Sequence, residues 1–416
     1  MNVNFRYLWV AFFVVINAFA TLLILGQGKL LGESSNISIA SDVPIVTFGV
    51  IVCALYVIIL IPVFNFFWRI PVVRLPFICP SLKTANDIGF FLLLAQVLFF
   101  IFIVSEGVYV AGSTARSDSI LSKLFVLFPV DTIFLVYYAY YRTSKYYYLN
   151  LFVAIVSSVT RGWLGIFMTL IILESIRMAR ERRLNISIIV MMTFVVLLIF
   201  PFLQVVKLEV RSAGIGSAVD YSSVISNIIP LLDFELFINF YVGFTSLIME
   251  RLQLVSNFIV VYQYSELLNF QYIKGEILPF WVDGIHGLAY YILIGDTAPV
   301  NLGVQLASIL DPNSTEINWN SNPGVLAWLF ISPYLSLFYL AYIFLLLYFI
   351  NCVAKSIRSL DLSIQDLIWF AWLVFLLPGW IASLFLFAHS LFVFYLVHIF
   401  RHLIVRANVR KLAATS

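Results

Sequence analysis

Residues 146–176 read YYYLNLFVAIVSSVTRGWLGIFMTLIILESI: 31 residues, apolar almost throughout, with Arg161 and Gly162 at the midpoint. Arg142 and Lys145 precede the segment, and Arg177, Arg180, Arg182 and Arg183 follow it. A single membrane crossing takes about 20 residues, and basic residues collect in short cytoplasmic loops. Both ends therefore belong on the cytoplasmic side. The segment is expected to be a hairpin of two short helices that turns near Arg161.

The rest of the chain continues this pattern. Further apolar runs long enough to cross are Tyr7–Gly26, Pro44–Trp68, Ile88–Val104, Leu124–Tyr141, Leu184–Val206, Gly324–Ile350, Leu367–Phe387 and Leu391–Val405. Together with the two arms of the hairpin they predict ten crossings, with both termini in the cytoplasm. Hydrophobic residues make up 62% of the 416 and charged residues 11%, against about 25% charged in a soluble domain. Lipid must then be the solvent for much of the surface. The net charge of +3 matters less than its placement: sixteen of the 24 basic residues fall in the inner segments and seven in the outer ones, with Lys123 at a helix edge. Ala18-Phe19-Ala20 resembles a cleavage site, but the apolar run continues to Leu25 and reads as a retained first helix. Cys53, Cys79 and Cys352 all lie outside the large outer loop, so they imply no disulfide framework.

Between Val206 and Gly324, more than a hundred residues are neither clearly soluble nor clearly spanning. Leu236–Met249 and Leu252–Tyr262 are short apolar stretches separated by Glu250-Arg251. They are expected to form re-entrant or interfacial helices of a lid; two true crossings there would raise the count to twelve. The expected fold is thus an all-α integral membrane protein of ten to twelve transmembrane helices. It divides into a bundle (1–206), an outer loop (207–323) and C-terminal helices (324–416). No internal repeat, low-complexity tract or basic tail suited to nucleic acid is evident.

Charge inside a bilayer is costly, which makes Arg161 the first candidate for function. Each arm of its hairpin, about 15 residues, is about 22 Å long, short of a hydrocarbon core of about 30 Å. The tip should be sunk below the outer surface; the alternative is a guanidinium snorkelling to the headgroups. Lys207 and Arg211 lie four apart after the next helix, flanking Glu209, and would offer two cations at the outer mouth, or simply mark the membrane boundary. Arg251, beside Glu250, is a third outer arginine or else part of a surface turn. Arginine forks bind phosphate oxygens in pairs and keep their charge.

His286 is the only histidine of the outer loop, with Asp283 three residues before it. An imidazole suits deprotonation of a hydroxyl, and a structural histidine is the alternative. Trp319, Asn320 and Asn322 belong to an amide-rich approach to the next helix that suits carbohydrate, although asparagine is equally a loop residue. His398 and His402 are four apart at the cytoplasmic end of the last helix and have no third ligand. No phosphate loop, dinucleotide fingerprint or metal motif is present, so no cofactor is expected.

Ser157-Ser158-Val159-Thr160-Arg161-Gly162, closing one short helix and opening another, resembles the arginine hairpin of Wzy-type O-antigen polymerases. The basic segment Lys207–Arg211, the Leu278-Pro279-Phe280-Trp281 stretch followed by Gly284, and Asn322-Pro323-Gly324 entering a helix are similar in placement. The resemblance covers most of the chain as topology. It implies a metal-independent glycosyltransferase of the bacterial inner membrane with a GT-C-like fold and a periplasmic active site. Its substrates would be undecaprenyl-pyrophosphate-linked oligosaccharide repeats. The resemblance puts Arg161, Arg211 and Arg251 on the pyrophosphates, assisted by Lys207, and makes His286 the positional candidate for the base. Asp283 and Glu250 complete the catalytic set, and Trp281, Trp319 and Asn322 would contact glycan. His286 lacks the His-Asn start of the related ligases' motif. Membrane lipids and a Wzz-type chain-length regulator are the expected partners. An O-antigen ligase and a lipid-linked oligosaccharide flippase or other transporter are the alternatives.

Overall fold

The computed structural model describes residues 5–110 except 40, 74, 77, 79 and 80; 117; 119–188 except 186; 191, 194, 202–207, 210, 235, 238, 241 and 243; 248–284; 287; 299–311; 320–357; and 363–415. Side chains beyond 403 are not described. Among these residues the chain is helical, its extended pairing limited to isolated bridges such as Ile78 with Ile357.

Among the described residues, six helices are long and apolar enough to cross a membrane. They begin with α1 (Phe5–Gln27), α2 (Asp42–Arg69) and α3 (Leu82–Glu106). The fourth, Ile120–Tyr140, is made of α4 (Ile120–Leu127) and α5 (Val130–Tyr140), broken at Phe128-Pro129. Ser41, Ser81 and Ser119 open α2, α3 and α4 by accepting the backbone N–H of Val43, Thr84 and Ser122, the usual way to satisfy a helix start. Pro62 widens α2 into a π turn over Ile59–Val63, since proline removes a ladder donor. Large apolar side chains such as Leu22, Val50 and Phe91 remain exposed on α1, α2 and α3. That is the exterior a multi-pass membrane protein presents to lipid.

The expected hairpin is present as α6 (Tyr147–Thr160) and α7 (Gly165–Arg180). At 14 and 16 residues the arms are about 21 and 24 Å long, so neither crosses.

At the C-terminal end the structure corrects the reading. Leu367–Phe387 is not one crossing and Leu391–Val405 another. Instead α13 (Ile364–Leu376) ends in a turn at Pro378-Gly379, and α14 (Ile381–Thr415) runs on without a break. Proline and glycine end the helix there, Gly379 with φ +80°. The run expected at Gly324–Ile350 is likewise divided. A short α11 (Ala327–Ile331) stops at Ser332-Pro333 and α12 (Ser336–Ser356) follows, inside a span of Pro333–Ser356.

The expected crossing at Leu184–Val206 lies mostly outside the described residues, apart from helical positions such as 202–207. Leu252–Tyr262 falls in α8 (Val255–Gln263), followed by α9 (Ser265–Ile273). Nine residues give α8 about 14 Å of length. It is buried against α1 and α2, and the Leu254 N–H reaches Asn17 Oδ1 in the middle of α1 at 2.8 Å. A last short helix, α10 (Leu302–Leu310), is capped by Asn301.

The α6–α7 hairpin and the α13–α14 hairpin sit side by side, α13 packing on both α5 and α7. Their feet are joined electrostatically. Asp366 of α13, 1% exposed, takes Arg6 of α1 and Arg180 of α7, each at 2.5 Å. Arg142 and Arg177 share Glu174, and Arg401 pairs with Asp87 at 2.6 Å. Arginines therefore gather with carboxylates at one end of the bundle, called here the basic end.

Candidate functional site

The tip of the α6–α7 hairpin lies away from the basic end. Gly162, with φ +71°, ends α6; its N–H donates to Val159 O (2.9 Å) and that of Trp163 to Ser158 O (2.8 Å). This left-handed closure satisfies carbonyls that a helix end would leave open, and it turns the Arg161 side chain back along α6. Arg161 Nε donates to Ser157 O at 3.0 Å. The guanidinium lies over the rings of Phe99 (5.4 Å) and Trp163 (5.0 Å), and Nη2 stands 2.7 Å from Asp131 Oδ2.

The two partners of this ion pair have unequal environments. Arg161 is 1% exposed, whereas the Asp131 side chain is 35% exposed. Asp131 sits in the first turn of α5, where the helix dipole favours an anion. A buried guanidinium is stable only with a counter-charge, and here the counter-charge is the partner in reach of solvent. Trp163, which covers the guanidinium, is 48% exposed. The geometry therefore buries the cation and leaves its counter-charge within reach of solvent. Asp131 was not singled out from the sequence. The available signal was the one charged residue inside the apolar run Leu124–Tyr141.

Among the described residues, the other candidates are not partners of Arg161. Arg161 contacts Asp131, Ser157, Phe99 and Trp163; Lys207, Glu250, Arg251 and Asp283 are not among its partners. Lys207 ends the helical positions 202–207 and is half-buried, while Arg251 is exposed. Glu250 packs beside Gly32 in the loop after α1, where a Cβ on that glycine would stand 3.4 Å from Glu250 Cβ.

Trp281 and Asp283 belong to a second locality. Pro279 O accepts the N–H groups of Val282 (3.0 Å) and Asp283 (3.1 Å). The tight turn this makes drives Phe280 into the rings of Trp328, Tyr339 and Tyr342, at 5.3, 5.0 and 5.6 Å. Trp281 lies 5.2 Å from Phe338. Burial beside these rings pushes the Asp283 carboxyl up to about 6, because desolvation disfavours the charged form. Asn322 is half-buried before Gly324. His286, Arg211 and Trp319 lie outside the described residues.

Among the described residues no group of three or more His, Cys, Asp or Glu is placed to hold a metal ion. His398 is engaged otherwise: its Nδ1 meets Phe394 O at 2.7 Å and its Nε2 the Tyr141 hydroxyl, while His402 is exposed. No protein family, curated protein or solved structure matches the chain.

Proposed function

We propose that the chain is a polysaccharide polymerase of the bacterial inner membrane, with a GT-C-like arrangement, both termini in the cytoplasm and its active site on the periplasmic side. It would transfer a growing glycan from undecaprenyl pyrophosphate onto a new undecaprenyl-pyrophosphate-linked repeat. The observation that carries this reading is the Arg161–Asp131 pair at the tip of a hairpin too short to cross. A guanidinium held by two aromatic rings and answered by a half-exposed carboxylate is a place where one anion can replace another. A lipid diphosphate entering from the outer leaflet is such an anion, and the arginine fork matches its oxygens. The membrane-embedded tip lets the prenyl chain stay in lipid while its headgroup reaches the cation.

In the reaction the bond between the donor's anomeric carbon and the diphosphate oxygen breaks. A hydroxyl of the acceptor sugar forms the glycosidic bond and gives up its proton. Arg161 stabilises the charge that develops on the departing diphosphate, with Lys207, Arg211 and Arg251 as further cations on that side. Asp283, with its raised pKa, is placed among aromatic residues suited to a sugar face; either it or His286 takes the proton. Glu250 completes the proposed catalytic set, Trp281, Trp319 and Asn322 form the proposed glycan surface, and a Wzz-type chain-length regulator is the proposed partner.

The test is reconstitution with a single lipid-linked repeat. Arg161→Gln should leave a folded, membrane-inserted protein that consumes little or no repeat, with polymer formation reduced by roughly a hundredfold or more. Polymer of normal length and amount from that variant overturns the proposal. Transfer of finished polymer to lipid A-core by the wild type would instead indicate a ligase.

A further inference from the structure

The seam between α3 and α6 contains polar groups that the proposed reaction does not use. The two helices run in the same direction, and two contacts fix their register. Near the basic end Asn150 Nδ2 donates to Gly89 O at 2.9 Å, and at the far end Arg161 lies 5.4 Å from the Phe99 ring. Gln96 is two helical turns beyond Gly89, and Ser157 two turns beyond Asn150. They therefore face the same seam at the same depth, one turn beneath Arg161.

Gln96 and Ser157 are each 3% exposed, and Asn150 is fully buried. Among the described residues, neither polar atom of the Gln96 amide has a hydrogen-bond partner; nor has the Ser157 hydroxyl or Asn150 Oδ1. The same seam continues towards the basic end. There the Tyr137 and Ser144 hydroxyls border Gly89, and Ser144 Oγ donates to Asn86 Oδ1 at 3.1 Å. Buried polar groups are nearly always paired, because leaving them unpaired in a low dielectric costs free energy.

The types of atom identify what pairs them. Gln96 Oε1 and Asn150 Oδ1 only accept, the Gln96 amide N–H groups only donate, and Ser157 does both. An anion would meet two carbonyl oxygens, and a cation would leave the amide N–H groups unanswered. Water satisfies the whole set.

We propose that the α3–α6 seam is an internal water site, with ordered water bridging Gln96, Ser157 and Asn150 directly beneath Arg161. That water solvates the buried guanidinium from the protein side when Asp131 is displaced. The inference stands apart from the identity of the anion.

X-ray radiolytic labelling of the protein in lipid nanodiscs tests it, because hydroxyl radicals made from bound water modify buried side chains that touch it. Tyr137 (0% exposed) and Phe99 (6%) should label several-fold faster than Tyr339 (1%) and Phe48 (5%), which are equally buried away from the seam. Gln96→Leu should bring both rates down to those of the controls. Labelling of Tyr137 and Phe99 at control rates in the wild-type protein overturns the proposal, as does an excess that persists in a folded Gln96→Leu protein.

Discussion

The molecule contains two helical hairpins of similar build and opposite character. Both the α6–α7 and α13–α14 hairpins have an apolar first arm too short to cross, and both turn at a glycine with positive φ, Gly162 at +71° and Gly379 at +80°. The second tip is held by backbone. Gly324 N–H donates to Pro378 O (2.8 Å) and Val325 N–H to Leu377 O (3.0 Å), and a Cβ on Gly379 would stand 2.5 Å from Gly324 O. The first tip is held by a side-chain ion pair and two aromatic rings. Backbone clasps of this kind cannot be exchanged for a ligand, whereas a carboxylate can. The comparison separates a structural anchor from a place where chemistry can occur, although both use the same turn.

The largest effect expected from this difference is on folding. Gly379→Ala drives a Cβ into the Gly324 backbone at an unfavourable φ and should cost roughly 3 kcal/mol or more. Gly162→Ala carries the strain of the left-handed turn, about 1 kcal/mol. Thermal melting in one detergent would compare them, and equal losses would break the distinction between the two tips.

A smaller effect is expected at Asp283, which belongs to neither hairpin. Its carboxyl titrates near 6 in the folded chain, above its ordinary value of 3.8. The folded state therefore holds the proton more tightly than the unfolded state, and stability is lost as pH rises from about 4 through 6. Discounted for partial exposure, the loss is about 1–2 kcal/mol. Wild-type protein should melt higher at pH 5 than at pH 7.5, and Asp283→Asn should flatten that difference. A wild-type melting temperature unchanged across this range would remove the desolvated carboxyl from the account.

The first hairpin was legible in the sequence because charge marks it on three sides: basic residues at both feet and Arg161 between them. The second was not. From Leu367 to Phe387 no charge interrupts the run, so length alone favoured a crossing over the turn that Pro378-Gly379 makes. The partners of Arg161 were also hidden. Asp131 and Phe99 lie on other helices, and a hydrophobicity pattern gives the depth of a residue but not its neighbours across a seam. Gln96 had a readable signal as the only side-chain amide between Ile88 and Val104; what it lacked was the register of α3 against α6. By sequence Trp281 and Asp283 belong to the outer loop, and the ring cluster that desolvates Asp283 comes from α11 and α12, some fifty residues further along.

The proposed exchange of anions at Arg161 is most directly measured as binding of a polyprenyl pyrophosphate to the protein in nanodiscs, with wild type, Asp131→Asn and Arg161→Gln compared. If Asp131 occupies the place of the diphosphate, its neutral variant binds more tightly than wild type, and Arg161→Gln binds more weakly than either. Equal affinity in all three proteins, each shown to be folded, would contradict the account.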